Sequence, residues 1–418
     1  MRGRKTRRNL HPGPHLFEPE PQSRRPEYRA REQKLWLVVI SLTCAVWMLS
    51  ANRGLVADAT QPADDFQRAV RPRDWKFPAD HGRHDGFKTE WWYFTGNLYE
   101  STAGATTKSS SEASGSRRFG YQLTFFRTSL AATATTRPSA WGMRDLYSAH
   151  AALTDVAGGK FVCDDISSRG REDLAWASAD NLDVKLLDWS ALLQSHDSDR
   201  AGTIHLKAGG SGFSYDLACV ANQPILEGPG GVNAKGPLAG EASYYYSMIR
   251  METTGRLMVG GKSFDVRGAT WMDHEFSSSP LGQDEVGWDW MGLTLDDGRD
   301  VMVYRLRDAK GAAVFASATV VSGDGSVMYV DGSKIHLTGS ELWRSAASGA
   351  AYPRRWSVAI DGMNQMQVRS VVADQELHTP HSTDVDYYEG ASDVLDAAGK
   401  KIGEGYLEMT GYGKPVGF

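Results

Sequence analysis

Glu90-Trp-Trp-Tyr-Phe-Thr-Gly-Asn-Leu-Tyr99 decides the fold class. Large aromatic side chains suit a pleated, half-buried surface, so the run predicts a β-strand with one face in a core. Phe119-Gly-Tyr-Gln-Leu-Thr-Phe-Phe-Arg127 repeats the style and is its natural hairpin partner. Between them, residues 101–118 are a Ser/Thr/Ala/Gly tract that buries too little apolar surface to order itself, which predicts a long mobile hairpin loop.

The same alternation runs outward through the chain. It predicts strands over 147–155, 182–187, 203–208, 213–220, 244–251, 256–259 and 264–271. In the second half it continues over 288–295, 301–306, 315–320, 327–330, 334–337, 355–360, 366–371, 386–394 and 405–411. Asp296-Asp-Gly298 is a hairpin turn signal between two of these. Helical periodicity is nearly absent; 171–176 and 188–193 each suggest a short helical turn at most. Many short strands and few helices imply an all-β protein of two antiparallel sandwiches or barrels in tandem. The expected parts are a tail and targeting segment (1–59), an irregular lead-in (60–85), a first domain (86–276) and a second (285–418). The join falls in Ser277-Ser-Ser-Pro-Leu-Gly-Gln-Asp284.

Composition supports this reading. The chain has 418 residues, 41% hydrophobic and 23% charged, with 13 Trp and 16 Tyr beside 16 Pro, as a β-rich globular protein with aromatic faces would. Residues 1–59 carry about +6, which leaves about −11 on the remainder of a chain of net −5. An acidic body lacks the footprint needed to neutralise phosphates, so a nucleic-acid partner is not expected. Residues 35–51 are uncharged and apolar, follow a basic stretch, and precede Val56-Ala-Asp-Ala59. That order reads as an export signal, with an uncleaved membrane anchor as the alternative, and implies a periplasmic or cell-envelope protein. Cys163 and Cys219 are either a disulfide or, preferably, two buried thiols.

Gly268-Ala-Thr-Trp-Met-Asp-His-Glu-Phe276 carries the chemistry. Asp273, His274 and Glu275 are adjacent proton-handling groups set between Trp271 and Phe276 at the seam of the two domains, a common place for ligand sites. With Trp91, Trp92 and Tyr93 upstream and Trp288 and Trp290 downstream, they are expected to line one pocket. The bland alternative is a polar knot in which these charges pair with Arg250 or Arg305. Half of the aromatics in Trp91–Tyr93 and Tyr244–Tyr246 are expected to be core packing. His150, beside small residues, reads as a hydrogen-bonded core histidine, and His81-Gly-Arg-His84 as loop rather than a metal site. No zinc motif or cofactor fingerprint is present, so metal-free, cofactor-free chemistry is expected. There is no Gly-x-Ser-x-Gly elbow, and Ser277, Ser278 and Ser279 are near His274 only in sequence.

Glu90-Trp-Trp-Tyr-Phe-Thr-Gly, Tyr244-Tyr-Tyr-Ser-Met, Trp271-Met-Asp-His-Glu-Phe, Gly287-Trp-Asp-Trp, Tyr387-Tyr-Glu-Gly and Gly405-Tyr-Leu-Glu-Met-Thr-Gly411 together resemble the AttH/carotenoid 1,2-hydratase family, nearest its exported "predicted secreted hydrolase" branch. The resemblance runs from about residue 85 onward. It implies two lipocalin-like β-barrels and, in the hydratase branch, addition of water to an isoprenoid double bond. Such chemistry needs a carboxylic acid kept protonated, aromatic faces for the carbocation and a base for water. On this reading Asp273 is the acid, His274 its orienting partner or the base, and Trp91, Trp92 and Trp271 the cation-stabilising faces. Glu275 and Tyr304 complete the implied catalytic set. Two positions differ from the hydratase pattern: Phe276 stands for Trp, and Tyr304-Arg-Leu306 ends in Leu where Asp is expected. Carotenoid hydration itself is therefore not expected. The function expected is action on a lipophilic, isoprenoid- or lipid-like molecule, with a non-catalytic lipocalin-type carrier as the alternative.

Overall fold

The computed structural model describes residues 65–101, 116–132, 143–194, 202–278, 281–282 and 284–416. The basic tail, the apolar segment, most of the expected hairpin loop and Ser279 lie outside the described residues.

The described chain is almost entirely antiparallel β-structure in two sheets. The first takes β1 (Thr89–Glu100), β2 (Arg118–Ser129), β3 (Asp145–Asp155), β4 (Lys160–Arg169), β5 (Ala175–Ala177), β6 (Asp183–Leu186), β7 (Trp189–Gln194), β8 (Thr203–Gly210) and β9 (Phe213–Val220). It also takes β12 (Ala242–Val259) and β13 (Lys262–Ser277), with short β10 (Ile225–Leu226) and β11 (Val232–Ala234) on the flank of β12. The order is β4-β3-β2-β1-β13-β12-β9-β8-β7-β6-β5, and β3 and β4 return against β6 and β8, so the sheet curls nearly closed. The second sheet begins with β14 (Glu285–Leu295), β15 (Asp300–Asp308), β16 (Ala313–Val321), β17 (Val327–Asp331) and β18 (Ile335–Arg344). It ends with β19 (Ala351–Ile360), β20 (Met366–Ser370), β21 (Glu376–His378), β22 (Asp386–Leu395) and β23 (Lys401–Met409), and its order is β17-β16-β15-β14-β23-β22-β20-β19-β18. The all-β, two-barrel architecture is as the alternation predicts, and β1 pairs β2 as expected, Trp92 facing Phe125.

Among the described residues, period-2 alternation produces three large cores rather than two. Trp92, Phe94, Leu123, Phe125, Tyr246 and Met272 fill the first barrel, while Met291, Val303, Tyr352, Trp356 and Leu407 fill the second. The opposite faces of β1, β12, β13, β14 and β15 meet in a third cluster with Tyr93, Tyr245, Trp271, Trp290 and Tyr304. Polar ties reinforce that contact. Arg118 on β2 donates to Asp393 and to the Ser392 carbonyl of β22 at 2.6 and 2.9 Å, and Arg250 donates to Asp300 at 2.7 Å.

Several local expectations change. The strands expected over 244–251 and 256–259 are one 18-residue strand, β12, carrying a bulge between Met248 and Met251 where Arg250 adopts φ 54°. That irregularity interrupts the alternation that a sequence reading depends on. β13 continues through the Asp-His-Glu triplet to Ser277 rather than ending at Trp271. β4 has no counterpart among the expected strands, because its pattern is largely half-exposed. Of the turns proposed over 171–176 and 188–193, the first is present over 172–174, where Leu174 N donates to the Arg171 carbonyl at 2.9 Å before β5 takes Ala175–Ala177, and the second is strand instead, as β7 takes Trp189–Gln194. The lead-in from Asp65 is irregular but firmly tied, with Trp75 Nε1 donating to the Gly230 carbonyl at 3.0 Å and Phe87 packed on Tyr244 and Phe276. Cys163 and Cys219 are both free thiols.

Candidate functional site

Pleating sorts the sequence motifs by face. On β1, β13 and β12 the paired residues are Trp91–Glu275–Tyr245 and Tyr93–Asp273–Ser247, and these rows face the second sheet. The intervening row, Trp92–His274–Tyr246, points into the first barrel. The second sheet answers with a row of its own, Tyr304–Trp290–Glu408–Glu389 on β15, β14, β23 and β22. Between the two lies a cavity of about 250 Å³ lined by Trp91, Tyr93, Tyr245, Asp273, Glu275, Trp288, Trp290, Tyr304, Glu389 and Glu408, among others.

Asp273 is 3% exposed and is the most elaborately supported group in the wall. Its Oδ2 accepts from Tyr245 at 2.7 Å; its Oδ1 accepts from Ser247 at 2.5 Å and Trp271 Nε1 at 2.7 Å. Burial pushes its pKa up to about 7, against the pull of those three donors and with a further push from Glu275. Ser247 Oγ also stands 2.8 Å from Glu227 Oε1. One hydroxyl proton cannot serve two carboxylates, so one of the two acids holds a proton. Glu227, pushed by burial up to about 8, is the natural holder. Trp290 Nε1 donates to Tyr245 Oη at 3.2 Å, which extends the network to the second sheet.

Glu275 pairs with Lys235 at 3.0 Å, not with Arg250 or Arg305, which pair with Asp300 and Asp289. The Lys235 ammonium lies 4.4 Å from the centroid of Tyr304, whose hydroxyl stands 2.6 Å from both Asn233 Oδ1 and the Ala234 carbonyl. Across the cavity Glu389 and Glu408 are cross-strand neighbours. Burial raises both carboxyls, Glu408 to about 8 and Glu389 well above the usual range, the latter reinforced by Glu408 itself. Tyr93 donates to Glu389 Oε2 at 3.0 Å.

His150 also lines the cavity, beside Tyr387. Ser382 Oγ donates to Asp165 Oδ2 at 2.6 Å and so accepts from His150 Nε2 at 3.0 Å. That leaves Nδ1 to accept the Tyr387 hydroxyl proton at 2.8 Å. Burial lowers the His150 pKa to about 3, so the ring is neutral.

On the far face of β13, His274 meets the lead-in. His274 Nε2 and His84 Nδ1 both contact Glu90 Oε1, at 3.0 and 2.7 Å, and Arg127 Nε donates to Glu90 Oε2 at 3.0 Å. Burial disfavours charge on His84, but Asp80 and Glu90 on its two nitrogens outweigh it and raise its pKa. His84, Glu90 and His274 bring ligand atoms within 4.8 Å of one another. Each is already committed to a partner and a guanidinium sits on the carboxylate, so the arrangement is a buried charge network between the lead-in and the barrel.

Of the residues singled out in the sequence, Trp91, Tyr93, Asp273, Glu275, Trp288, Trp290 and Tyr304 meet at the cavity, and Trp271 packs behind Asp273. His274 and Trp92 do not: alternation turns them to the other side of the strands, so His274 neither orients Asp273 nor faces the cavity. Ser277 donates to the Ala242 carbonyl and Ser278 accepts from the Lys88 backbone, so neither is paired with His274. Sequence reading missed Glu227, Lys235, Ser247, Tyr387, Glu389 and Glu408; His150 is the buried, hydrogen-bonded histidine expected, although it also borders the cavity. A signal existed for Glu389 and Glu408, each an acid directly following aromatic or apolar residues within a strand, Tyr387-Tyr-Glu389 and Tyr406-Leu-Glu408; Glu227 and Lys235 sit in short irregular segments with none.

The AttH-like family model matches residues 68–412. An AttH-type protein of Nitrosomonas europaea, known from its crystal structure, is 32% identical, superposes with a TM-score of 0.72, and aligns over 83% of this chain and 100% of its own. Kievitone hydratase of Fusarium solani subsp. phaseoli is 23% identical over 206 residues, 48% of this chain and 57% of that relative's length. The crystal structure of kievitone hydratase from Nectria haematococca superposes with a TM-score of 0.58 at 14% identity, over 84% of this chain and 97% of that one, which shows a shared fold.

Proposed function

The chain belongs to the AttH-like family, and from that premise we propose that it is a hydratase-type enzyme that adds water to an alkene of a lipophilic, isoprenoid-like small molecule in the cavity between the two sheets. The observation that carries this reading is Asp273: a buried carboxyl, near neutrality in its proton affinity, set in an aromatic-walled cavity. The kinship with kievitone hydratase supports the reaction class.

In the proposed reaction the Asp273 O–H proton adds to the less substituted alkene carbon, the π pair forming the new C–H bond. Positive charge develops on the more substituted carbon, facing the rings of Trp91, Tyr245 and Trp290. Water then adds its lone pair to that carbon, and its proton passes to the Asp273 carboxylate, so the acid is regenerated and the sum is alkene plus water. Glu227, through Ser247, holds a proton beside the acid. Lys235 pairs with Glu275 beside the developing cation, and Tyr304 is a positioning residue that packs on Lys235. The N-terminal basic and apolar segments support a second part of the proposal, export to the cell envelope. Fractionation of cells carrying the full chain tests it, with a cytoplasmic location as the adverse outcome.

Incubating the protein with a prenylated phenol in H₂¹⁸O and analysing the product by mass spectrometry tests the chemistry. A tertiary alcohol carrying one ¹⁸O is expected, and Asp273→Asn, which keeps the shape and removes the acid, lowers its formation at least about 100-fold. If no oxygen is incorporated while a lipophile co-purifies with the protein, the carrier reading replaces the enzyme one.

A further inference from the structure

The Asp273 end of the cavity accounts for proton transfer, yet the wall opposite holds two more acids with no part in it, Glu389 buried and Glu408 half-buried. Glu389 and Glu408 face each other across β22 and β23, and Glu389 is fully buried. Carboxylates at directly opposed strand positions repel, and burial adds to the cost of charge, so a pair retained here keeps at least one proton. A neutral carboxyl is both donor and acceptor. Tyr93 donates to Glu389 Oε2, which directs the proton of a neutral Glu389 to Oε1. That Oε1 is buried and has no hydrogen-bond partner among the described residues. Glu408 accepts from Trp288, and Thr383 and Thr410 also line the cavity. Between this polar end and Asp273 lie the rings of Tyr93 and Trp290, in T-shaped contact at 5.3 Å.

We propose that the Glu389–Glu408 carboxyl pair is the recognition pole for an oxygen function, a hydroxyl or a carbonyl, on the substrate. The ligand is then an oxygenated lipophile with two ends: an alkene beside Asp273, and a polar oxygen that takes the unmade hydrogen bond of Glu389 or Glu408. A plain hydrocarbon chain leaves that pole unpaired on binding, and a buried unpaired polar group opposes it. This inference rests on the lipophile reading of the cavity and specifies which lipophiles it admits.

Because Trp91, Trp288 and Trp290 line the cavity, intrinsic fluorescence of the full chain reports occupancy directly. Two probes differ only in the oxygen: 4-prenylphenol and prenylbenzene. The wild-type chain is expected to bind the phenol at least about tenfold more tightly. Glu389→Leu and Glu408→Leu should bring the two probes within about twofold, whereas Glu408→Gln, which keeps a donor and an acceptor, should preserve the preference. Equal binding of both probes by the wild type, or a preference that survives in both Leu variants, overturns the inference while leaving the lipophile cavity standing. Failure of both probes to bind the wild type removes the lipophile reading and the inference with it. The wild-type comparison alone decides the matter should a Leu variant not fold.

Discussion

Asp273 and His274 are adjacent, yet they belong to different sites. The Asp273 carboxyl faces the cavity with three hydrogen bonds and a pKa near 7, whereas the His274 imidazole, kept neutral mainly by burial, joins Glu90 in the charge network of the lead-in. The proposed acid works in its protonated form, so turnover should fall as pH rises through about 7. Ser247→Ala removes a donor that favours the ionised form and should therefore move this alkaline limb to higher pH, with KM for the prenylated phenol little changed. A limb that moves down or stays put in the kcat profile counts against Asp273 as the acid. His274→Gln should leave that limb in place and show itself as lost stability, because its imidazole touches Glu90 and Tyr246 rather than the cavity.

At the scale of the strand, β1 separates binding from stability residue by residue. Trp91 is half-buried on the cavity wall, and Trp92 is fully buried in the first barrel, its Nε1 donating to the His81 carbonyl at 2.9 Å. Trp92→Ala should cost about 3–5 kcal/mol in urea unfolding, as large-to-small core changes do. Trp91→Leu should cost far less and instead weaken the fluorescence-detected binding of 4-prenylphenol. Reversed outcomes for the two would mean that the facing of β1, and with it the placement of β13, is wrong. The alternation in Glu90–Tyr99 made the two-faced strand legible, but both faces are aromatic, so pattern alone did not say which aromatics meet the ligand. The triplet on β13 was legible as chemistry for the same reason that its division was not: three adjacent polar residues read as one cluster until the pleat separates them.

For the whole molecule, the buried acids set the pH response of the fold. Asp273, Glu227 and Glu408 have folded values near 7, 8 and 8, above their unfolded values of 3.8, 4.5 and 4.5. The native state therefore holds protons that the unfolded chain releases, and their contribution is intact below about pH 4 and lost as pH rises through 7 to 8. Glu90 runs the other way: although burial raises it, Arg127 and the two histidines hold it well below the ordinary range, and its contribution is lost as pH falls. Thermal stability should peak in mildly acidic solution and decline from about pH 5 to 8, and Glu408→Gln should flatten the decline. A melting temperature that rises over that interval contradicts the protonated-acid picture. The sheets depend on each other as well. Arg118 is buried with Asn97, Asp393 and the Ser392 carbonyl, so Arg118→Met removes its hydrogen bonds to all three, while Asp393 keeps Lys401 and Arg369 at 3.2 and 3.6 Å. A loss of about 1–3 kcal/mol is expected from chemical denaturation.

By itself the sequence determined the all-β class, the tandem barrels, the β1–β2 hairpin and the aromatic and acidic strands that meet at the cavity. All of these follow from local alternation, which the chain encodes over five to ten residues at a time. Only the tertiary structure decided that His274 and Trp92 are turned away from the cavity at the seam, and that Glu227, Ser247, Glu389 and Glu408 complete it. Those facts depend on strand register and on which outer faces are pressed together. Residues nearly 300 apart, such as Tyr93 and Glu389, meet only through that long-range packing.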